Sequence, residues 1–121
     1  MAATKIEAAN VAVVQGRLSG APRRRQLPSG SVLVEFDVTT RGDGGSSSVP
    51  VAWFEPGAFA DSLQVGDEVV VVGFVRRRFF RTAATTQSRT EVVAHRVVGA
   101  SKRTQVGRIL EEAVAAIVGE R

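Results

Sequence analysis

The chain has 121 residues, 44% of them hydrophobic, which is enough for one compact core and too short for two, and this balance excludes wholesale disorder. Basic residues number 16 against 12 acidic ones, and all but Lys5 and Lys102 of the 16 are arginine, whose planar guanidinium both grips phosphate and stacks on bases. With no cysteine there is no disulfide framework, thiolate metal site or cysteine nucleophile.

Taken in order, Met1 to Asn10 lacks a long apolar segment, and no stretch approaches the roughly 18 apolar residues of a membrane span. The expectation is therefore a cytoplasmic protein with no membrane contact. Residues 11–18 are β-rich and closed by Ser19, Gly20, Ala21 and Pro22, so they form a first strand with Arg23, Arg24 and Arg25 in the loop behind it. Val32, Val34, Phe36 and Val38 then alternate with Leu33, Glu35, Asp37 and Thr39, giving a strand with one core face and one largely wet face. Arg41 to Ser48, rich in glycine and serine, reads as a flexible loop. Val49 to Phe54 resumes the strand pattern, with Pro50 pointing to an edge or an irregular start.

Pro56 and Gly57 open a short helix in which Phe59 and Leu63 share a face, ending before Gly66. Val69 to Val75 is an apolar strand that leaves the core at Arg76-Arg77-Arg78-Phe79-Phe80-Arg81. Thr82 to Thr90, with Arg89, is polar and turn-like, and Glu91 to Val98 is the last strand. Five strands with one short helix between the third and fourth give the order of an OB fold, a mainly β five-stranded Greek-key barrel, over residues 1–100. Residues 101–121 change period. Val106, Ile109, Leu110, Ala113, Val114, Ile117 and Val118 recur at helical spacing behind Thr104 as N-cap, so an amphipathic helix packs on the barrel or on an oligomer interface.

Enzymatic readings fail for lack of parts. His95 is the single histidine, the acids are scattered without metal-ligand or acid–base spacing, and Gly42, Gly44 and Gly45 open no helix and precede no Lys-Ser/Thr pair. No cofactor, metal or catalytic residue is expected. The binding features are sharper: Arg23, Arg24 and Arg25 in one place, and Arg76, Arg77, Arg78 and Arg81 interleaved with Phe79 and Phe80 in another. Cations neutralise phosphates, and an aromatic face accepts any base. An arginine run also suits a solvated face and a phenylalanine the core, but adjacent strand residues point opposite ways, so Phe79 and Phe80 cannot both be core. The same alternation leaves either Trp53 or Phe54 as the core member.

Asn10-Val11 through Gly16-Arg17-Leu18, Pro22 through Arg25 with Leu27-Pro28-Ser29-Gly30, Val65-Gly66-Asp67 through Gly73, and Thr90-Glu91-Val92-Val93-Ala94 together resemble the bacterial single-stranded DNA-binding protein family over residues 5–98. The resemblance implies an extended hairpin around residues 76–90, single-stranded DNA on the outer surface in replication, repair or recombination, and a homo-oligomer, a tetramer ahead of a dimer. It places Arg25 on the family's loop arginine, Phe80 on a stacking tryptophan, and Trp53 or Phe54 near a stacking phenylalanine. Thr40 and Arg41 stand where the family offers an aromatic, and the chain ends Val118-Gly119-Glu120-Arg121 without the acidic tip that recruits replication proteins. The nucleic-acid candidates are thus Arg23, Arg24, Arg25, Arg41, Trp53, Phe54, Arg76, Arg77, Arg78, Phe79, Phe80, Arg81 and Arg89. Two alternatives share the same residues: an OB-fold module that binds a protein, and an RNA-binding OB domain.

Overall fold

The computed structural model describes residues 8–119. What the sequence implies for Met1–Glu7 and for Glu120 and Arg121 lies outside the described residues. The elements are β1 (Ala12–Leu18), β2 (Arg23–Gln26), β3 (Val32–Gly42), β4 (Gly45–Phe54), a 3-10 turn (Ala58–Ser62), β5 (Glu68–Arg81), β6 (Thr86–Gly99) and α1 (Arg103–Val118). The strands lie in the order β1-β5-β6-β4-β3-β2, and β1 also pairs with β3. That second pairing closes β1, β3, β4, β6 and β5 into a barrel, while β2 follows β1 along the same edge of β3. The protein is mainly β, a closed five-stranded barrel with one C-terminal helix, consistent with an OB fold.

The expected alternation in β3 sets the core. Val34, Phe36 and Val38 point inward to meet Leu18, Val51, Trp53, Leu63, Val69, Val71, Val92, Ala94 and Val97. On the opposite face Leu33 is buried as well, so that face is less wet than its polar neighbours suggest. Two glycines mark where backbones crowd. A Cβ on Gly16 would sit 2.2 Å from the Thr39 carbonyl oxygen, and one on Gly73 would sit 1.9 Å from that of Val93. No side chain fits at either place.

Several expected loops are sheet. Arg23, Arg24 and Arg25 form β2 against Leu33, Val34 and Glu35. Arg41 to Ser48 is the tip of the β3–β4 hairpin, paired as far as Gly42 and Gly45, because backbone pairing needs no side-chain burial. Likewise β5 runs on to Arg81 and β6 starts at Thr86, so only Thr82 to Thr85 turns and a long two-stranded arm leaves the barrel. Pro50 lies in β4 beyond Val51 and Ala52, the residues that pair with β6, so its missing N–H interrupts no ladder on that side. The segment after β4 is a five-residue 3-10 turn rather than an α-helix, with Phe59 39% exposed and Leu63 buried, so the two do not share a face.

α1 begins at Arg103 with Lys102 at the N-cap position and no side-chain cap, which places Thr104 inside the first turn. Its apolar residues divide between two directions. Ile109 and Ala113, with Val106, pack on Val70, Val72 and Val98, the outer side of β5 and β6, and on Val11 just before β1. Val114, Ile117 and Val118 remain more than half exposed.

Candidate nucleic-acid interface

Strand alternation decides which candidates meet. Arg24, Val34 and Trp53 stand opposite one another across β2, β3 and β4 on the core side, where Trp53 is buried and Arg24 reaches down to Asp61 at 2.9 Å. One residue along, Arg25, Leu33 and Phe54 stand opposite one another on the outer side. Trp53 is thus the core member of its pair and Phe54 the outer one. From β5 the Arg76 guanidinium lies 5.4 Å above the Phe54 ring.

The β5–β6 arm continues this outer face. Arg76, Arg78 and Phe80 alternate along β5, opposite Glu91, Arg89 and Gln87 on β6. Three arginines converge on Glu91. Its Oε2 accepts hydrogen bonds from Arg76, through Nε at 3.2 Å and a terminal nitrogen, and from Arg78 Nε at 3.0 Å. Arg89 Nε, buried and without a hydrogen-bond partner, lies 3.6 Å from Oε1 as an ion pair only. Arg78 in turn lies 5.9 Å above the Phe80 ring. The outer face therefore reads, from barrel to arm, as ring, guanidinium, carboxylate, guanidinium, ring.

Arg77, Phe79 and Arg81 occupy the other face of the arm. Arg77 lies 5.6 Å above Phe79 and donates to Ser88 Oγ at 3.2 Å, while Phe79 is 68% exposed. Both arm phenylalanines are therefore outside the core, since the arm extends past the barrel. Asn10 fixes the base of the arm: its side-chain amide donates to the Val75 carbonyl at 2.7 Å and accepts from the Val75 N–H at 2.9 Å, adding a rung to the β1–β5 ladder. Arg41 stands apart, at the β3–β4 tip beside Arg17 and Glu68. Arg23, Arg41 and Arg81 are exposed with no ion-pair partner among the described residues, whereas Arg25 is paired with Glu35 at 3.3 Å.

Glu91 is the residue that sequence reasoning left without a role. Its signal was present: one acid at the start of an apolar strand, placed to pair with an arginine run. It is 2% exposed, covered by arginine stems. Burial works to raise its pKa, but the hydrogen bonds and charges of Arg76 and Arg78 outweigh burial and hold the carboxyl below its ordinary range. Because the folded value lies below the unfolded one, the stabilisation is complete above the ordinary glutamate pKa of about 4.3 and is lost as pH falls through the lowered value. Thermal melts from pH 6 downward should show this acid loss, and Glu91→Gln should remove it.

No family model matches the chain, nor does any curated protein sequence. Among solved structures, a deletion variant of the single-stranded DNA binding protein from Thermus aquaticus is similar, with a TM-score of 0.63 at 21% identity. The likeness is one of fold. It covers 74% of this chain and 40% of that one, so this chain spans well under half of its neighbour's length. Among the described residues no three His, Asp or Glu side chains gather as a metal site, and no helix is long and apolar enough to cross a membrane.

Proposed function

We propose that the protein binds single-stranded DNA, largely without regard to sequence, along the outer face that runs from β2 over Phe54 to the β5–β6 arm. The observation that carries this reading is the interleaving of Phe54 and Phe80 with guanidinium groups on one continuous face. Rings stack any base, and exposed arginines neutralise phosphates with release of counterions. Arg23 and Arg89 on the outer face and Arg81 near the arm tip supply the phosphate contacts. The similarity in fold to a protein that binds single-stranded DNA supports the same reading. With it go a cytoplasmic role in DNA replication, repair or recombination and a homo-oligomeric state, tetramer ahead of dimer.

The test is a salt series of binding to labelled oligo-dT, to oligo-U and to a duplex of equal length. The expected result is tightest binding to oligo-dT, with log K falling by about 0.7 per phosphate contact for each tenfold rise in salt. Duplex preference, or no binding at low salt, overturns the reading, and oligo-U preference turns it to RNA. A second reading, a protein-binding module, draws on the exposed Val114, Ile117 and Val118 of α1, and absence of binding to all three nucleic acids would favour it.

A further inference from the structure

A cluster of arginines on a nucleic-acid-binding face is ordinarily counted as a set of phosphate contacts. The geometry around Glu91 divides that set. Arg76 and Arg78 each have Nε turned inward to Glu91 Oε2, and Arg76 commits a terminal nitrogen there as well. Each of the two also lies over one aromatic ring, Arg76 5.4 Å from the centre of Phe54 and Arg78 5.9 Å from that of Phe80. A guanidinium hydrogen-bonded to a buried carboxylate and placed over a ring is restricted in orientation, and the ring beneath it is restricted in turn. Arg89 differs on both counts, since its Nε reaches Glu91 only as a 3.6 Å ion pair and no ring lies under it among the described residues.

We propose that Glu91 is a positioning residue for base stacking: by pinning Arg76 and Arg78 it holds Phe54 and Phe80 as platforms, each with one face covered and the other left for a base, and it withdraws these two arginines from phosphate binding. Arg89 is then the member of the cluster that meets a phosphate. The inference rests on the reading of this face as a single-strand interface. It removes two of the arm's arginines from the electrostatic count and assigns them to the non-electrostatic part of the affinity, two parts that a salt series separates.

The experiment is a salt series with labelled oligo-dT on the full chain and on Glu91→Gln, Arg76→Gln, Arg78→Gln and Arg89→Gln, with thermal melts as the control for folding. Glu91→Gln should lower the affinity extrapolated to 1 M salt about tenfold or more while leaving the salt slope unchanged or steeper, because two guanidiniums are set free. Arg76→Gln and Arg78→Gln should lower the same intercept with the slope kept, and Arg89→Gln should flatten the slope by about 0.7. In an Arg76→Gln/Arg78→Gln background Glu91→Gln should cost nothing further, the mark of a shared pathway. Removing the acid leaves half-buried cations unpaired, so if Glu91→Gln does not fold, the single arginine variants decide. A flatter slope in Arg76→Gln or Arg78→Gln, or an unchanged intercept in a folded Glu91→Gln, overturns the proposal. Absence of oligo-dT binding by the unaltered protein overturns the single-strand reading itself and this assignment with it.

Discussion

Replacing Ile109 with alanine should destabilise the protein by about 2–5 kcal/mol, the cost of emptying a buried aliphatic site. Ile109 is 4% exposed and sits between Val70, Val72 and Ala113, where α1 meets the outer side of β5. Beside it only Val106 and Ala113 of α1 join this cluster, and among the described residues the polar link to the barrel is the exposed pairing of Arg96 with Glu112 at 3.3 Å, worth little on its own. Urea unfolding should show the loss as a lower midpoint. Where the folded state is still populated, affinity for oligo-dT should stay within about twofold, since Ile109 packs in a cluster that includes none of the candidate binding residues. A fall in affinity that tracks the loss of stability would instead place α1 in the DNA site.

Alanine at Phe54 and at Phe80 should each lower affinity for oligo-dT by about 1–3 kcal/mol with the salt dependence nearly unchanged, as expected for loss of a stacked base. Phe80 is 38% exposed on the arm and Phe54 is half-buried where the arm joins the barrel, so neither substitution opens the main core. Combined, the two losses should exceed either one alone, because each ring offers its own platform for a base. Phe79→Ala is the internal comparison: it lies on the opposite face of the same strand, is 68% exposed, and should change affinity less than Phe80→Ala. Anisotropy titrations at several salt concentrations measure all four proteins. A larger loss in Phe79→Ala than in Phe80→Ala would move the strand's path to the other side of the arm.

The barrel was legible where apolar periodicity was strong. The alternation from Val32 to Val38 and the run from Val69 to Val72 produced the right strands and most of the core, because period-2 burial leaves a direct mark on residue type. What escaped was sheet held by backbone alone. Ser46 to Ser48 and Thr86 to Ser88 bury almost nothing, and their hydrogen bonds to the neighbouring strand leave no trace in hydrophobicity. α1 was legible as a helix, but not the split of its apolar residues, since only contact with β5 and β6 decides that Ile109 is core and Ile117 is not. Within the candidate site, alternation showed that Trp53 and Phe54 must part, and the register of β4 against β3 decided which faced out. Arg24, Arg25, Arg76 and Arg78 carry the same charge in the sequence. Only the fold shows that each already has an acidic partner.

The way the barrel closes also bears on the order in which it forms. The β3–β4 and β5–β6 hairpins join residues close in the chain and β1 lies along β5 over six residue pairs from Ala12 with Gly73 to Arg17 with Glu68, whereas the ring is completed by Arg17 with Thr39 and Leu18 with Val38 on one side, and by Val51 with Val92 and Ala52 with Val93 on the other. Both seams are short and join distant residues, so their loop-closure entropy falls due late, after the hairpins exist. Folding should accordingly be slow for a chain of this length, with the seams zipping last. In the native protein the same two places are where the cylinder breathes first, and amide hydrogen exchange should reach Ser19, whose N–H donates to the Asp37 carbonyl at 3.1 Å, and Ala52 through partial openings well before it reaches Val71 in the middle of β5.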